Sequence, residues 1–328
     1  MHVLQVINHV IPAEKYGGTE RVVWWLSKKL AELEHRVTIL TPAGSSCSFA
    51  TVLPFDPLKS LDAQVPDDVD IIHLHDDTQP SERTPTIRTF HGNMRKAGSM
   101  SENTVFISAD QARRHGGSVF IHHGLDLQEY GPVDWSIPRE HLVFLAKAAW
   151  KVKNVRDAIH IARKAGRPLA VAGGHRLNFT MGFRLTLDPN ARFLGMVDHH
   201  HKQQVLNRSL ALLFPVKWHE PFGLALIESL YFGNPVFGTP FGSLPEIVTD
   251  EVGFLSKSRK ELIGQVRELE RFDRRRCHEY VCDRFSSTVM AKNYLDLYEK
   301  VCNGENLHDQ RPSWLDPVEP KYLPLDLS

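Results

Sequence analysis

The order of segments along this 328-residue chain predicts an α/β fold of two Rossmann-like, doubly wound parallel-sheet domains in tandem. Three observations carry that expectation. Short apolar runs alternate with amphipathic helical stretches, the βαβ rhythm of a parallel sheet. The rhythm pauses at a polar, proline-bearing stretch, Gln128–Glu140 (QEYGPVDWSIPRE), and then starts again. The length suffices for two domains that each bury a core.

Taken in order, HVLQVIN reads as a buried strand and TERVVWWLSKKLAELEH as an amphipathic helix. RVTILTP, VDIIHLH, PTIRTFHG, NTVFISA and SVFIHHG read as strands, each closed by a small or polar turn. After the linker come strand HLVFLAKA, helix VRDAIHIARKA, strands PLAVAGG and ARFLGMV, helix HKQQVLNRS and strand LALLFPV. A helix from about Phe222, strand PVFGTP and helices near Lys260–Leu269 and Ser287–Val301 complete the pattern. The expected domains are 1–135 and 136–286, with the final helix and tail 287–328 packing back on the first. From Asn303 the tail is rich in proline and charge and reads as extended.

Lys+Arg and Asp+Glu both count 39, so the basic excess of a general nucleic-acid binder is missing and no nucleic-acid partner is expected. Residues 1–137 carry 12 Lys+Arg against 17 Asp+Glu, which disfavours polybasic attachment to anionic lipid. A local patch of Arg83, Arg88, Arg95 and Lys96 leaves at most weak peripheral membrane contact. The four cysteines, Cys47, Cys277, Cys282 and Cys302, lack zinc-type spacing and read as reduced thiols. No basic leader and no run of about 18 apolar residues stands out, so a cytoplasmic location is expected.

The stretch Glu220–Pro235, EPFGLALIESLYFGNP, is unusual because two carboxylates sit in apolar surroundings. The helix stops at GNP, and its apolar residues surround it on all sides, which marks it as buried. Glu228 therefore needs donors, since an unpaired buried carboxylate costs several kcal/mol. A basic neighbour or ligand hydroxyls could supply them. Glu220 precedes the first turn beside Gly223, where backbone N–H groups favour anions and glycine permits close approach. The plainer reading is that Glu220 favours the helix dipole and Glu228 pairs with a basic residue.

EPFGLALIE, followed by GNPVFGT and GSLPEIV, resembles the E-x7-E signature of the retaining GT-B glycosyltransferases of family 4 (glycosyl transferases group 1). The likeness covers most of the chain: YGGTERVVWWLSKKLAELEHRVTILTP, IIHLH, TFHG, VFISA, HHGLD, FLAKAAWKVKN and FLGMV fall in the family's order. It implies a GT-B fold, two such domains facing a central cleft, with acceptor-side residues in 1–135 and the donor in 136–286. It implies that Glu228 binds ribose hydroxyls and Glu220 hydroxyls of the transferred sugar. Phe222, Gly223 and Leu224 would offer backbone N–H groups. Lys147 and Lys153 would face the diphosphate, with Lys151 a competitor for the second place. Gly17 and Gly18 form the opening glycine loop, and His91 lies near the reacting sugar. Gly173 and Gly174 flank the donor pocket, and Met196 and Val197 the base.

The pattern departs from the family at Lys147, where arginine is usual, and at Ala146, where glycine is usual; lysine is a point charge without the bidentate fork. His199–His201 and Asp76–Asp77 are discounted as metal sites, because ligands must converge on the ion. No metal or other cofactor is expected. RFDRRRCHE reads as an exposed helix face. The spans between HLHDD and TFHG, and between TFHG and VFISA, are short for helical crossovers and imply a trimmed, open acceptor side.

The implied reaction transfers a sugar, with retention, from a nucleotide-diphosphate sugar, UDP-sugar favoured, to a hydroxyl of a saccharide or glycoconjugate acceptor. A non-catalytic nucleotide-sugar-binding protein and a GT-B epimerase or phosphorylase are the alternatives. A dehydrogenase is disfavoured by the lack of a dinucleotide fingerprint.

Overall fold

The computed structural model describes residues 1–13, 17–94, 98–179, 182–315 and 322–326. The chain divides into two compact units, Met1–Asp126 with Phe285–Glu319, and Leu127–Arg284 with Pro320–Ser328.

The first unit holds a six-stranded parallel sheet: β1 (His2–Val6), β2 (Arg36–Thr41), β3 (Thr51–Pro54), β4 (Ile71–Leu74), β5 (Thr86–Thr89) and β6 (Thr104–Val105). The spatial order is β3-β2-β1-β4-β5-β6, the doubly wound arrangement in which the order reverses beside β1. Helix α1 (Gly18–Glu32) follows β1 and buries Val22, Val23, Trp25, Leu26 and Leu30 at helical spacing. A short helix, α2 (Ala109–Arg114), is capped by Ser108, whose hydroxyl accepts from Gln111 N–H.

Register sets the chemistry of the two faces of this sheet. Leu4, Val6, Ile72 and Leu74 form one apolar face with Leu61, Val65 and Val69. On the other face Gln5 lies directly opposite His73, and both are fully buried. Alternate residues of a strand share a face, so one polar stripe lies within an otherwise apolar pair of strands.

β4 and β5 are parallel, yet residues 75–85 join them without a helix. The expected strand SVFIHHG is only a single bridge, Phe106 to Phe120, because just Phe106 pairs with that segment before the chain turns to meet Ser286 through Leu125.

The second unit repeats the plan with β7 (His141–Leu145), β8 (Leu169–Ala172), β11 (Ala191–Phe193), β12 (Ser209–Phe214), β13 (Val236–Gly238) and β14 (Gly253–Leu255), in the order β11-β8-β7-β12-β13-β14. A small antiparallel pair, β9 (Leu177–Asn178) and β10 (Arg184–Leu185), lies between β8 and β11 in sequence. Helices α3 (Leu127–Tyr130), α4 (Val155–Ala165), α5 (His199–Asn207), α6 (Leu224–Tyr231), α7 (Leu244–Ile247), α8 (Arg259–Arg267) and α9 (Arg274–Arg284) complete it. The core joins Leu142, Phe144 and Val171 to Ile161 and Ala162 of α4, and to Leu262 and Val266 of α8. Arg275, Arg276 and Arg284 of α9 are exposed, as expected, whereas Arg274 is half-buried and donates to Gly233 O at 3.2 Å; Cys277, Tyr280 and Val281 are buried.

The division, between Asp126 and Leu127, lies before the boundary expected at residue 135 and just ahead of the expected linker. Tyr231 Oη donates to the carbonyls of Leu127, 3.3 Å, and Gly131, 2.5 Å, which ties α3 to the second unit. Helix α10 (Ser287–Cys302), capped by Ser286, packs on the first unit. The described tail segment 322–326 does not: Leu323 N–H donates to Lys217 O at 2.8 Å, and Leu325 is buried in the second unit's core. Replacing Leu325 by alanine should therefore destabilise that unit by about 2–3 kcal/mol, measured as a lower urea midpoint.

Candidate active site

In open α/β sheets ligands collect past the carboxyl ends of the strands, and in the second unit those ends gather most of the expected residues. After β12 the loop Pro215–Glu220 leads to α6. Lys217 N–H donates to Val152 O at 2.8 Å, which pins that loop to the turn following β7. The turn carries Lys147, Trp150 and a 3-10 segment, Lys151–Lys153. Lys153 is buried and donates from Nζ to Glu220 Oε2 at 2.6 Å, and Trp218 Nε1 donates to the same oxygen at 2.7 Å. The Lys153 ammonium also stands 5.0 Å from the Trp218 ring centre and 5.3 Å from that of Phe214. Lys147 Nζ lies 5.3 Å from the Trp150 ring, which meets Trp218 edge-on at 6.4 Å. Of the two lysines weighed for the second cation, Lys153 joins this cluster and Lys151 is exposed.

Two glycines make these close approaches sterically feasible. Gly242 has φ +67°, and a Cβ there would sit 2.2 Å from Glu220 N. Gly173 has φ +124°, and a Cβ would sit 2.2 Å from Ala146 O. Gly173 and Gly174 donate to Gly195 O at 2.7 and 3.2 Å, so the ends of β8 and β11 are bound together. Beyond them Met196 is 42% exposed and Val197 is buried, so these neighbours differ in what they can offer a ligand.

The start of α6 is open. Gly223, at φ +87°, gives no side-chain cap, and the first turn carries no acidic residue. By contrast Ser108, Asp198, Ser258 and Ser286 cap their helices. Leu224 begins the helix, and Phe222 is buried with its carbonyl accepting from Ser243 Oγ at 2.6 Å. Uncapped first-turn N–H groups form an anion-binding position.

Glu228 lies in the buried part of α6, and its donors come from within the chain: Lys202 Nζ and Tyr130 Oη both donate to Oε1. Lys202 is itself buried, donates to Tyr130 Oη at 3.3 Å and lies 5.3 Å from the centre of its ring. Of the two sources left open by the sequence, a basic neighbour is therefore present. Lys202, Tyr130 and Trp218 were not among the expected site residues. Lys202 sits in an amphipathic helix where lysine reads as surface, and only the packing of α3 and α5 against α6 gives it a buried partner. The triple His199–His201 forms the first turn of α5 under the Asp198 cap. Among the described residues no His, Cys, Asp or Glu group is placed to hold a metal ion.

In the first unit Gly17 precedes α1 and Gly18 begins it; a Cβ on Gly17 would lie 2.8 Å from Ala13 Cβ. His91, beyond β5, is part of a buried array. Its Nε2 is 2.9 Å from His75 Nδ1, and its ring stacks on His123 with centres 5.2 Å apart. His75 Nε2 meets Gln5 Oε1 at 2.6 Å. His73 bridges Tyr298 Oη and Thr89 Oγ1, each at 2.7 Å. Burial pushes the His91 pKa down to about 3 and those of His73 and His75 well below the usual range, so all three are neutral at pH 7. Of the expected basic patch, Arg83 and Arg88 donate to the carbonyls of Asp62 and Thr78, and Arg95 and Lys96 lie outside the described residues. No described helix is long and apolar enough to cross a membrane.

Lys202→Met would leave Glu228 without its cation. A loss of about 3–5 kcal/mol is expected, with most of it regained on adding Glu228→Gln, both read by urea unfolding. The buried histidines give a second expectation. They take up protons in the unfolded chain at pH about 6.5 but resist them when folded, so their stabilisation is complete above that pH. It is lost as pH falls towards the folded value, about 3 for His91. Between pH 7 and 5 the unfolding free energy should fall, each histidine contributing up to about 1.4 kcal/mol per pH unit, with a shallower slope in His91→Asn.

Comparison with known proteins bears on the fold and on the second unit. Residues 137–281 match the family model described as Glycosyl transferases group 1. An uncharacterized 41.2 kDa protein in the cps region of Klebsiella pneumoniae is 26% identical over 117 residues, which is 34% of this chain and 32% of that protein's own length. Among solved structures, AviGT4, a glycosyltransferase involved in avilamycin A biosynthesis, superposes with a TM-score of 0.76 at 21% identity, covering 95% of this chain and 99% of its own. Sucrose-phosphate synthase from Thermosynechococcus elongatus gives 0.69 at 16%, covering 93% and 100%. HepE of Anabaena, solved with UDP and glucose, gives 0.64 at 13%, covering 92% and 100%. The chain thus has the two-sheet fold of the GT-B glycosyltransferases, and its second unit carries the sequence match to glycosyl transferases group 1.

Proposed function

We propose that this protein is a retaining glycosyltransferase that moves a sugar from a nucleotide-diphosphate sugar, UDP-sugar favoured, to a hydroxyl of a saccharide or glycoconjugate. The observation that carries the reading is the Lys153–Glu220–Trp218 cluster beside the uncapped start of α6, inside the segment that matches the family model. A nucleoside diphosphate has two needs when it leaves a sugar: fixed positive charge, and donors that do not have to reorganise. Lys153 has three donor hydrogens, one of them engaged by Glu220. Lys147 is the second cation of the cluster, and the N–H groups of Gly223 and Leu224 are the neutral donors.

Glu220, held at Oε2 by two donors, accepts from hydroxyls of the transferred sugar. Glu228, held by Lys202 and Tyr130, is the ribose contact in this reading. The bond from the anomeric carbon to the diphosphate oxygen breaks as the acceptor oxygen bonds to the same carbon. The acceptor proton goes to a diphosphate oxygen on the same face, which accounts for retention without an enzyme nucleophile. Positioning and electrostatics supply the rate, and no metal is assigned a step. The helix-free crossover between β4 and β5 suits a large, open acceptor such as a saccharide. The cps-region relative and the UDP bound to HepE are consistent with a UDP-sugar and a saccharide product.

The test is release of nucleoside diphosphate from a panel of UDP-, GDP- and ADP-sugars, without added metal, beside Glu220→Gln. Slow hydrolysis of one donor, reduced about 100-fold in the variant, is expected. Tight donor binding with no turnover, even with saccharide acceptors present, would favour a non-catalytic sugar-nucleotide-binding protein. No binding of any nucleotide sugar would sink the proposal.

A further inference from the structure

The small pair β9–β10 shows solvent its apolar face and the protein its polar one. Leu177 pairs with Leu185 and Asn178 with Arg184, and Thr186 N–H donates to Arg176 O at 3.0 Å. Alternate residues of a strand share a face. Arg176, Asn178, Arg184 and Thr186 therefore lie on one face, and Leu177, Phe179, Phe183, Leu185 and Leu187 on the other. The polar face is applied to the second unit. Arg184 is buried, donates to His175 O at 3.1 Å and stands 5.3 Å from the centre of the Phe193 ring. Arg176 stands 5.7 Å from the same ring and donates to the carbonyls of Thr186, Asp188 and Ala191. The apolar face is left in solvent. Phe179 is 72% exposed, Phe183 66% and Leu187 79%, and the two aromatic rings lie 5.8 Å apart. A shift of register by one residue would exchange the faces, so the outward set is specified by the pairing. A contiguous apolar face of this kind marks an interaction surface.

Basic side chains rim it. Residues 175–196 hold three arginines and one acid, Asp188, which is ion-paired with Arg163 at 3.5 Å. Arg176 and Arg184 donate to carbonyls and to the Thr186 hydroxyl, so no carboxylate cancels their charge. Lys151 reaches the turn of the pair: a Cβ on Gly182 would lie 3.4 Å from its Nζ. Arg156 is near enough to Arg184 to oppose its charge. Lys151, Arg156 and Arg192 are exposed, and none of them is ion-paired among the described residues. A second copy of the chain, meeting this face through a two-fold axis, would bring the same basic edge against itself, and like charges would oppose the contact. An anionic lipid surface has the complementary charge at its headgroups and an apolar layer directly beneath them.

We propose that the apolar face of β9–β10 docks on an anionic phospholipid bilayer, with Phe179, Phe183 and Leu187 entering the boundary between headgroups and acyl chains and Lys151, Arg156 and Arg192 meeting lipid phosphates. The docking element then belongs to the second unit, whereas the basic patch noticed in the sequence belongs to the first.

Co-sedimentation of the full chain with sucrose-loaded vesicles tests this. Binding to vesicles of phosphatidylcholine with phosphatidylglycerol is expected, weaker by about tenfold on phosphatidylcholine alone and reversed by salt. Phe179→Ser combined with Phe183→Ser should weaken binding by about tenfold or more, with the urea midpoint unmoved because both rings are exposed. Should that variant not fold, Arg156→Glu with Arg192→Glu tests the edge instead, and binding should fall about tenfold and lose its salt dependence. Three results would overturn the proposal: no binding of the wild-type chain to anionic vesicles, equal binding to neutral and anionic vesicles, or unchanged binding by the phenylalanine variant. A dimer in sedimentation velocity that the same phenylalanine changes dissolve, without vesicle binding, would give the face to a second copy. Vesicle binding needs no turnover, so failure of the donor-release assay would defeat the transferase reading and leave this result standing.

Discussion

A carboxylate placed in an apolar interior must be given donors, and the second unit meets that demand twice within nine consecutive positions, Glu220 to Glu228. Each glutamate receives one buried ammonium and one aromatic donor: Lys153 with Trp218, and Lys202 with Tyr130. In both, the lysine also stands against an aromatic face, so the cation is sheltered as well as paired. Removing either partner would strand the other charge, which couples four separated segments (the β7–α4 turn, α3, α5 and the β12–α6 loop) to one short helix. Much of the local architecture follows from that coupling, including the glycines at 173 and 242 that let neighbouring backbone come close.

The two pairs also differ in a way that matters for chemistry. Glu220 lies beside the uncapped start of α6, so its ion pair borders a position with unfilled anion-binding capacity. Glu228 lies farther along the helix, where Lys202 balances its charge internally. A ligand hydroxyl approaching Glu228 would join an ion pair already complete, whereas a phosphate near α6 would meet donors without partners in the helix. The first position is suited to charge and the second to neutral polar groups, the division that the proposed diphosphate and ribose contacts require.

The first unit solves the burial of polar groups without charge. Its array uses neutral imidazoles, an amide and hydroxyls, and Gln5, His73, His75, Thr89 and Tyr298 each meet two partners within it. Burial keeps the histidines neutral. The sequence does show the pieces: HLH and TFHG place histidines at strand ends, and Tyr294 and Tyr298 are four apart on a helix. What joins them is the register of β1 with β4 and the docking of α10, neither of which is written in local patterns.

By itself the sequence determined the two parallel sheets, because continuous apolar strands and amphipathic helices leave few other arrangements. It determined the limits of α6, since glycine at each end permits what other residues resist. The family resemblance pointed to Glu220, Glu228, Lys147 and Lys153; the fold pairs Lys153 with Glu220 and gives Glu228 a different partner, Lys202. It did not determine the unit boundary or the fate of the tail: α3 and residues 322–326 join the second unit through contacts made by residues distant in the chain. SVFIHHG has strand composition but no neighbour able to pair along its length. Lys202 reads as a surface residue until α5 packs beside α6. Each of these is a matter of partners, and a partner's identity is decided only when the chain has folded.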